Sequence, residues 1–378
     1  MAMLNMSNEF MQVGGKNVLN QDVFITENSF VKMLFVIFSA IVANANSPEE
    51  IEDFAYARKN WIKKNVYKNF IGLKGELISA LLGSIRPDAM SAMVERWLRE
   101  VARNNDGSED CVGEEAVANS FMRASGFASL GSAWLAVSDG GLVFGKRRAD
   151  AAAEDGNFVA NVIDLLDLDG ALVSIDADGV HPQVAADILG KGGDYLVAVT
   201  SRQKKFYNEL VLIFNYGMVN KDIFDYSFSF YTDDCSASEI LSIDIINDMF
   251  WIQESNMYAD AKSIIRVVST RIEKNRTKTD SRYYVSSVEV TPEDAAYFKR
   301  EFWLSREGKA SILDVCPNRQ GHDARVGHLR QNMASLNTVA QKLFGNGEPT
   351  PGVPDAFRKK AAWDGEFLTS VLSGKAAP

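Results

Sequence analysis

Ala171-Leu172-Val173-Ser174-Ile175-Asp176 is a short apolar run closed by a carboxylate. Ala177-Asp178-Gly179-Val180-His181-Pro182-Gln183 follows it, and further on come Lys191-Gly192-Gly193-Asp194-Tyr195-Leu196. The run predicts a strand over Ala171–Asp176, the stretch Pro182–Leu189 predicts a helix, and Asp194–Thr200 predicts a second strand. Strand, helix and strand in succession imply an α/β sheet. Asp176 then falls at the carboxyl end of a strand, the edge where open α/β sheets place their sites.

Outward from this unit, Ser129–Val137 and Gly141–Gly145 read as a strand pair and Asn157–Leu166 as an amphipathic helix. Residues 207–288 are rich in aromatic and β-branched side chains and predict strands over Leu210–Tyr216, Ile223–Tyr231, Ile264–Thr270 and Arg282–Val288, which extend the sheet or insert into it. The opening region reads as helical. Met33–Ala43 predicts a buried helix. Ser47-Pro48-Glu49-Glu50 supplies an N-cap, a proline at the first helical position and a capping-box glutamate for a helix running to Lys64, with acids early and Lys59, Lys63 and Lys64 late. Leu77–Leu82 and Ala89–Val101 are further apolar-periodic stretches, with Trp61 and Trp97 as core aromatics. Asn104-Asn105-Asp106-Gly107-Ser108 is a polar break that marks a boundary. Helices return at about Pro292–Trp303, Ala324–Phe344 and Asp355–Leu372. The organisation expected is a helical domain over 1–105, an α/β domain over 106–345 with a β-rich insertion about 207–288, and a helical tail over 346–378.

A chain of 378 residues, 46% hydrophobic and 24% charged, can bury a full core. Its longest apolar run, Met33–Ala43, is too short to cross a bilayer, which makes the expected location cytoplasmic with no membrane partner. Cys111, Cys235 and Cys316 are far apart and odd in number, a pattern that fits neither a disulfide framework nor a structural zinc site. The net charge of −10 opposes strong non-specific binding to phosphates. From Tyr297 onward there are 12 Lys and Arg against 8 Asp and Glu, a surplus of +4 that leaves −14 for the first 296 residues. Any phosphate-binding surface is therefore expected near the C-terminus, where Arg358, Lys359 and Lys360 are the candidates.

The pattern around Asp176 resembles the H-repeat-associated DDE transposases, the bacterial insertion-sequence family often found beside Rhs elements. The resemblance extends over Pro48–Phe54, Gly131–Leu135, Leu166–Asp176, Lys191–Leu196, Arg282-Tyr283-Tyr284-Val285-Ser286-Ser287, Arg300–Val315, Arg358–Ala362 and Phe367–Leu372. It implies an RNase H-like mixed-sheet domain behind an N-terminal helical domain, with helices at the C-terminus. It also implies two-metal phosphoryl transfer, in which convergent carboxylates hold Mg²⁺ or Mn²⁺ ions about 3.5–4 Å apart. In that scheme Asp176 is the second of three acids.

The other two acids are missing from the family's register. The late-helix motif, R-x-H-W-x-I-E-N-x-L-H-W-x-L-D-V, aligns without a gap on Arg300–Val315, matching Arg300, Trp303, Leu313, Asp314 and Val315 and placing Arg306 where the Glu belongs. Glu307 lies one position away, and one residue turns a side chain about 100° around a helix. The first Asp falls on Gly113, Val112 or Cys111, according to the anchor chosen. Asp110, Glu109, Glu307 and Asp314 are the substitute acids from which a metal site could be rebuilt.

Each of these residues also has an ordinary structural role. A lone Asp closing a strand is more often a turn or cap group than a ligand. His181, His322 and His328 have no partner at metal-ligand spacing, and Arg358-Lys359-Lys360 fits a solvated helix face. Three functions remain. The favoured one is a catalytically inactive, transposase-derived binding protein whose partner is a protein from a mobile-element or Rhs-type locus, with no cofactor. The second is a pseudo-transposase that still binds DNA. The third is an active Mg²⁺- or Mn²⁺-dependent transposase or nuclease with a rebuilt acidic site.

Overall fold

A computed structural model of the protein describes residues 24–26, 30–68, 70–104, 134–138, 141–147, 155–176, 180–234, 237–254, 257–273, 276–291, 309–317, 322–344 and 353–373, with isolated positions between them. The strands are β1 (Phe24–Thr26), β2 (Trp134–Ser138), β3 (Gly141–Arg147), β4 (Ala171–Ile175), β5 (Asp194–Val199), β6 (Tyr226–Asp234), β7 (Ala237–Ile246), β8 (Ser263–Glu273), β9 (Arg276–Ser286) and β10 (Lys309–Pro317). Among the described residues they form one mixed sheet in the order β1-β2-β3-β10-β4-β5-β9-β8-β7-β6. β4 and β5 run parallel, with Leu172 opposite Asp194 and Ile175 opposite Val197, and the other neighbours are antiparallel. Helix α7 (Gln183–Gly190) makes the crossover that a parallel pair requires.

The remaining helices are α1 (Phe30–Val42), α2 (Pro48–Ala57), α3 (Lys59–Asn65), α4 (Gly75–Ser84), α5 (Pro87–Asn104), α6 (Asp155–Leu165), α8 (Lys204–Val219), α9 (His322–Leu343), α10 (Val353–Trp363) and α11 (Gly365–Leu372). α1 is apolar apart from Lys32 and Ser39 and buried nearly throughout, as so apolar a helix must be. Its Phe38 ring meets Trp97 of α5 edge-on at 5.0 Å. α9 lies against α1, α4 and α5, and Asn332 on it donates through Nδ2 to the carbonyls of Leu82 and Ile85, at 2.7 and 2.8 Å. These are carbonyls at the end of α4 that the helix itself leaves without partners.

Residues 41–61 and 358–369 meet in this helical layer. Arg58 donates to the Ala362 carbonyl, and the Trp61 indole N–H donates to Gly365 O and Thr369 Oγ1, both at 3.0 Å. Arg358 reaches Ile41 O at 2.5 Å and Asn337 Oδ1 at 2.8 Å.

The coarse α/β pattern agrees with the sequence reading, β1 and β7 are strands it did not single out, and four expected elements differ. The helix expected over Pro48–Lys64 is broken at Arg58, where the backbone turns out of helical geometry. The helix expected over Asp355–Leu372 is likewise two, because Asp364 caps α11 by accepting from Phe367 N at 2.9 Å. Leu210–Tyr216, expected as a strand, lies within α8, whose Phe206, Leu210 and Phe214 bury one face at a spacing of four. The Ala310–Val315 part of the expected late-helix motif is strand β10, in which Leu313 and Val315 alternate into the core.

Candidate functional site

Asp176 follows the last residue of β4, where the register carries it alongside Ala198 of β5, and Ala198 in turn stands opposite Tyr284 of β9. Neighbouring strands lie about 4.8 Å apart, so a carboxylate reaching toward β9 must cross one intervening side chain. Alanine leaves that path open. Arg282 Nη1 donates to Asp176 Oδ2 at 2.5 Å, and the Tyr284 hydroxyl lies 3.4 Å from the same oxygen. Arg282 and Tyr284 are two apart on one strand and therefore share a face. The Asp176 side chain is 19% exposed and that of Arg282 38%. The carboxylate of Asp176 pushes the Arg282 pKa further up, against the opposing effect of burial, with smaller support from Tyr284 and Asp280.

A second tie joins β5 and β9 at the opposite end of the sheet. Ser287 Oγ donates to Asp194 Oδ1 at 2.8 Å and accepts from Tyr195 N at 2.9 Å, while Ser286 Oγ donates to Tyr195 O at 2.9 Å. Lys191 pairs with Asp164 at 2.7 Å. Gly192 has φ +80°, a conformation that favours glycine. A Cβ on Gly193 would lie 2.9 Å from the Leu168 carbonyl oxygen and 3.1 Å from Ile188 Cγ2. Three stretches far apart in sequence, 166–176, 191–196 and 282–287, thus become adjacent strands and turns, with polar side chains tying the third to the first at one end and to the second at the other.

Asp314 pairs by register with Ser174 of β4 and Val143 of β3, two positions along the ladder from the point opposite Asp176. Glu109, Asp110, Cys111, Val112, Gly113, Arg306 and Glu307 lie outside the described residues. Among the described residues, no group of three His, Cys, Asp or Glu side chains is placed to hold a metal ion. Asp176, the one acid of the implied triad with a described side chain, is paired with the Arg282 guanidinium.

His181 accepts from Gln183 N through Nδ1 at 3.1 Å, a turn contact at the start of α7. His328 lies 3.5 Å from Asp167. Arg358 corrects the solvated-face reading. It is 5% exposed, and its guanidinium joins α10 to α1 and α9, so it is not free to meet phosphate. Lys359 and Lys360 are exposed, and Lys360 Nζ sits 4.3 Å from the centre of the Phe367 ring.

Sequence reasoning did not single out Arg282 and Tyr284 as partners of Asp176. The signal was there in the stretch Arg282–Ser287, where alternation puts both side chains on one face, but which strand stands next to which is not written in local pattern.

No known family profile and no solved structure matches the chain. Curated relatives do. "Putative transposase YncI" of Escherichia coli O157:H7 is 24% identical over 349 residues, covering 90% of this chain and 88% of that protein. "Putative protein YbfL" and "H repeat-associated putative transposase YhhI", both of Escherichia coli K12, are each 24% identical over 358 residues, covering 92% of this chain and 93% of theirs. Over about nine-tenths of its length the chain is thus similar to proteins named as putative transposases, an H-repeat-associated one among them.

Proposed function

We propose that this chain is a transposase-derived protein that neither cuts nor joins DNA and that acts through binding contacts, with a protein from a mobile-element or Rhs-type locus as its partner. The observation that carries this reading is the engagement of Asp176 by Arg282 and Tyr284. A divalent ion brought to that carboxylate would face the guanidinium. At about 4 Å and an effective dielectric near 20, such a like-charge contact costs on the order of 4 kcal/mol per unit of the ion's charge. The sequence supports the same conclusion, because Arg306 stands where the family's Glu belongs and Gly113, Val112 or Cys111 where its first Asp belongs. Two-ion catalysis aligns and activates the nucleophile through the metals, and other electrostatic stabilisation does not replace that.

The RNase H-like, DDE-type reading of the fold is part of the proposal. It is supported by the β2–β3 hairpin, the parallel β4–β5 pair and the position of Asp176 at the carboxyl end of β4. In this chain the strand between β3 and β4 is β10, antiparallel to both.

Calorimetry with Mn²⁺ on the full chain tests the metal part. The expected trace shows no binding that depends on Asp176. Two sites abolished by Asp176→Ala would mean that the acids have been rebuilt into a working centre.

A further inference from the structure

α8 presents an apolar face to solvent. Phe206, Leu210, Phe214 and Gly217 face the core, and half a turn away lie Leu212, Tyr216 and Val219, at 70, 59 and 84% exposure. Their spacing of four and three makes a continuous stripe. No charged residue occurs between Leu210 and Asn220, whereas the outer face of a surface helix ordinarily carries charge.

The stripe does not stand alone. Gln253 N and Glu254 N donate to the Glu209 carboxylate, at 2.5 and 3.1 Å, which ties the end of the turn Met249–Trp251 to α8. That turn holds Phe250 and Trp251 edge-to-face, 84 and 56% exposed. With aromatic side chains offering roughly 150–250 Å² each, the five side chains leave on the order of 600 Å² of apolar surface in water. That is the upper end of what a monomer carries, about 300–600 Å². With a polar rim it approaches the roughly 800 Å² per partner of a stable interface.

We infer that this surface is a homodimer interface in which the α8 helices of two copies pack antiparallel across a two-fold axis near Tyr216. The charges at its ends specify the occupant. Arg202, Lys204 and Lys205 are exposed around the start of α8, and Lys221, Asp222 and Asp225 just beyond its end, so the first end is net positive and the second net negative. Antiparallel packing brings the lysines of one copy toward the aspartates of the other. A parallel arrangement would bring like charges together. A two-fold axis makes both halves of the contact identical, so one stripe completes the interface. The inference is independent of whether the protein cuts DNA.

Sedimentation velocity on the full chain across micromolar concentrations tests it. The parent protein should be a dimer, and Tyr216→Glu should weaken the dimer at least about thirtyfold, the scale of a central interface residue, while leaving the far-ultraviolet circular dichroism of a folded chain. Val219→Lys, on the same exposed stripe, should act alike and covers the case in which the first variant misfolds. The double variant Lys204→Glu, Lys205→Glu should also weaken the dimer, and adding Asp222→Lys should recover part of the loss. A monomeric parent, or a dimer indifferent to both stripe variants, overturns the interface. Failure of Asp222→Lys to recover any dimer overturns the antiparallel arrangement.

Discussion

Asp176→Asn and Arg282→Met, made singly and together, measure whether the carboxylate is a tether between β4 and β9. Removing one partner of a fully buried pair costs about 3–5 kcal/mol, and an exposed pair contributes about 0–1 kcal/mol. With side chains 19 and 38% exposed and a 2.5 Å contact, the pair falls between these limits, so each single change should cost about 2 kcal/mol. Unfolding entropy near 2.1 cal/mol/K per residue, over 378 residues, gives about 0.8 kcal/mol per degree, so each variant should melt about 2–3 °C lower if the chain melts as one unit. The double variant should cost little more than either single one, leaving a coupling of about 1.5 kcal/mol. Arg282, whose pKa is raised, contributes stability that is lost only as pH rises through a value above any working range, so the coupling should be flat across neutral pH. Thermal and urea denaturation of the four proteins is the assay. Single effects that add in the double variant to within about 0.3 kcal/mol would refute the tether.

Arg358→Ala should lower stability by about 3 kcal/mol or more, because it strands buried polar partners, whereas exposed Lys359→Glu should stay within about 0.5 kcal/mol; equal effects in denaturation would return Arg358 to the surface. The hydrogen bond from Lys74, followed by that from the Gly75 amide, holds the Glu52 carboxyl below its ordinary 4.5. A lowered carboxyl gives stability that is present above the ordinary value and lost as pH falls through the lowered one, so the acid limb of a pH–melting profile should be shallower in Glu52→Gln. Gly193→Ala should cost about 1–3 kcal/mol, since its methyl would meet backbone oxygen at 2.9 Å; an unchanged melting temperature would show that the turn relaxes freely.

Where a residue's role was set by its neighbours in sequence, it could be read from the sequence. The Ser47–Glu50 cap is present, with Ser47 Oγ accepting from Glu50 N at 3.2 Å. β4, α7 and β5 stand within a residue or two of their expected bounds. α8 was mistaken for a strand because apolar residues on both its inner and outer faces erase the helical period, and the outer set is the proposed dimer stripe. β10 was mistaken for helix because the family motif overrode the alternation of Leu313 and Val315. Arg358 was misassigned because a basic run predicts solvent and says nothing of the carbonyl at Ile41, more than three hundred residues away. The partners of Asp176 depended on β9 pairing with β5, a long-range fact that no window of sequence contains.

Incubation of the purified full chain with supercoiled plasmid DNA and Mn²⁺ tests most directly whether the protein is catalytically inert. Asp176 bound by Arg282 should leave the plasmid intact, with no nicked or linear product in the parent protein or in Asp176→Ala. Nicking by the parent that Asp176→Ala abolishes would contradict the account and establish Asp176 as a working ligand.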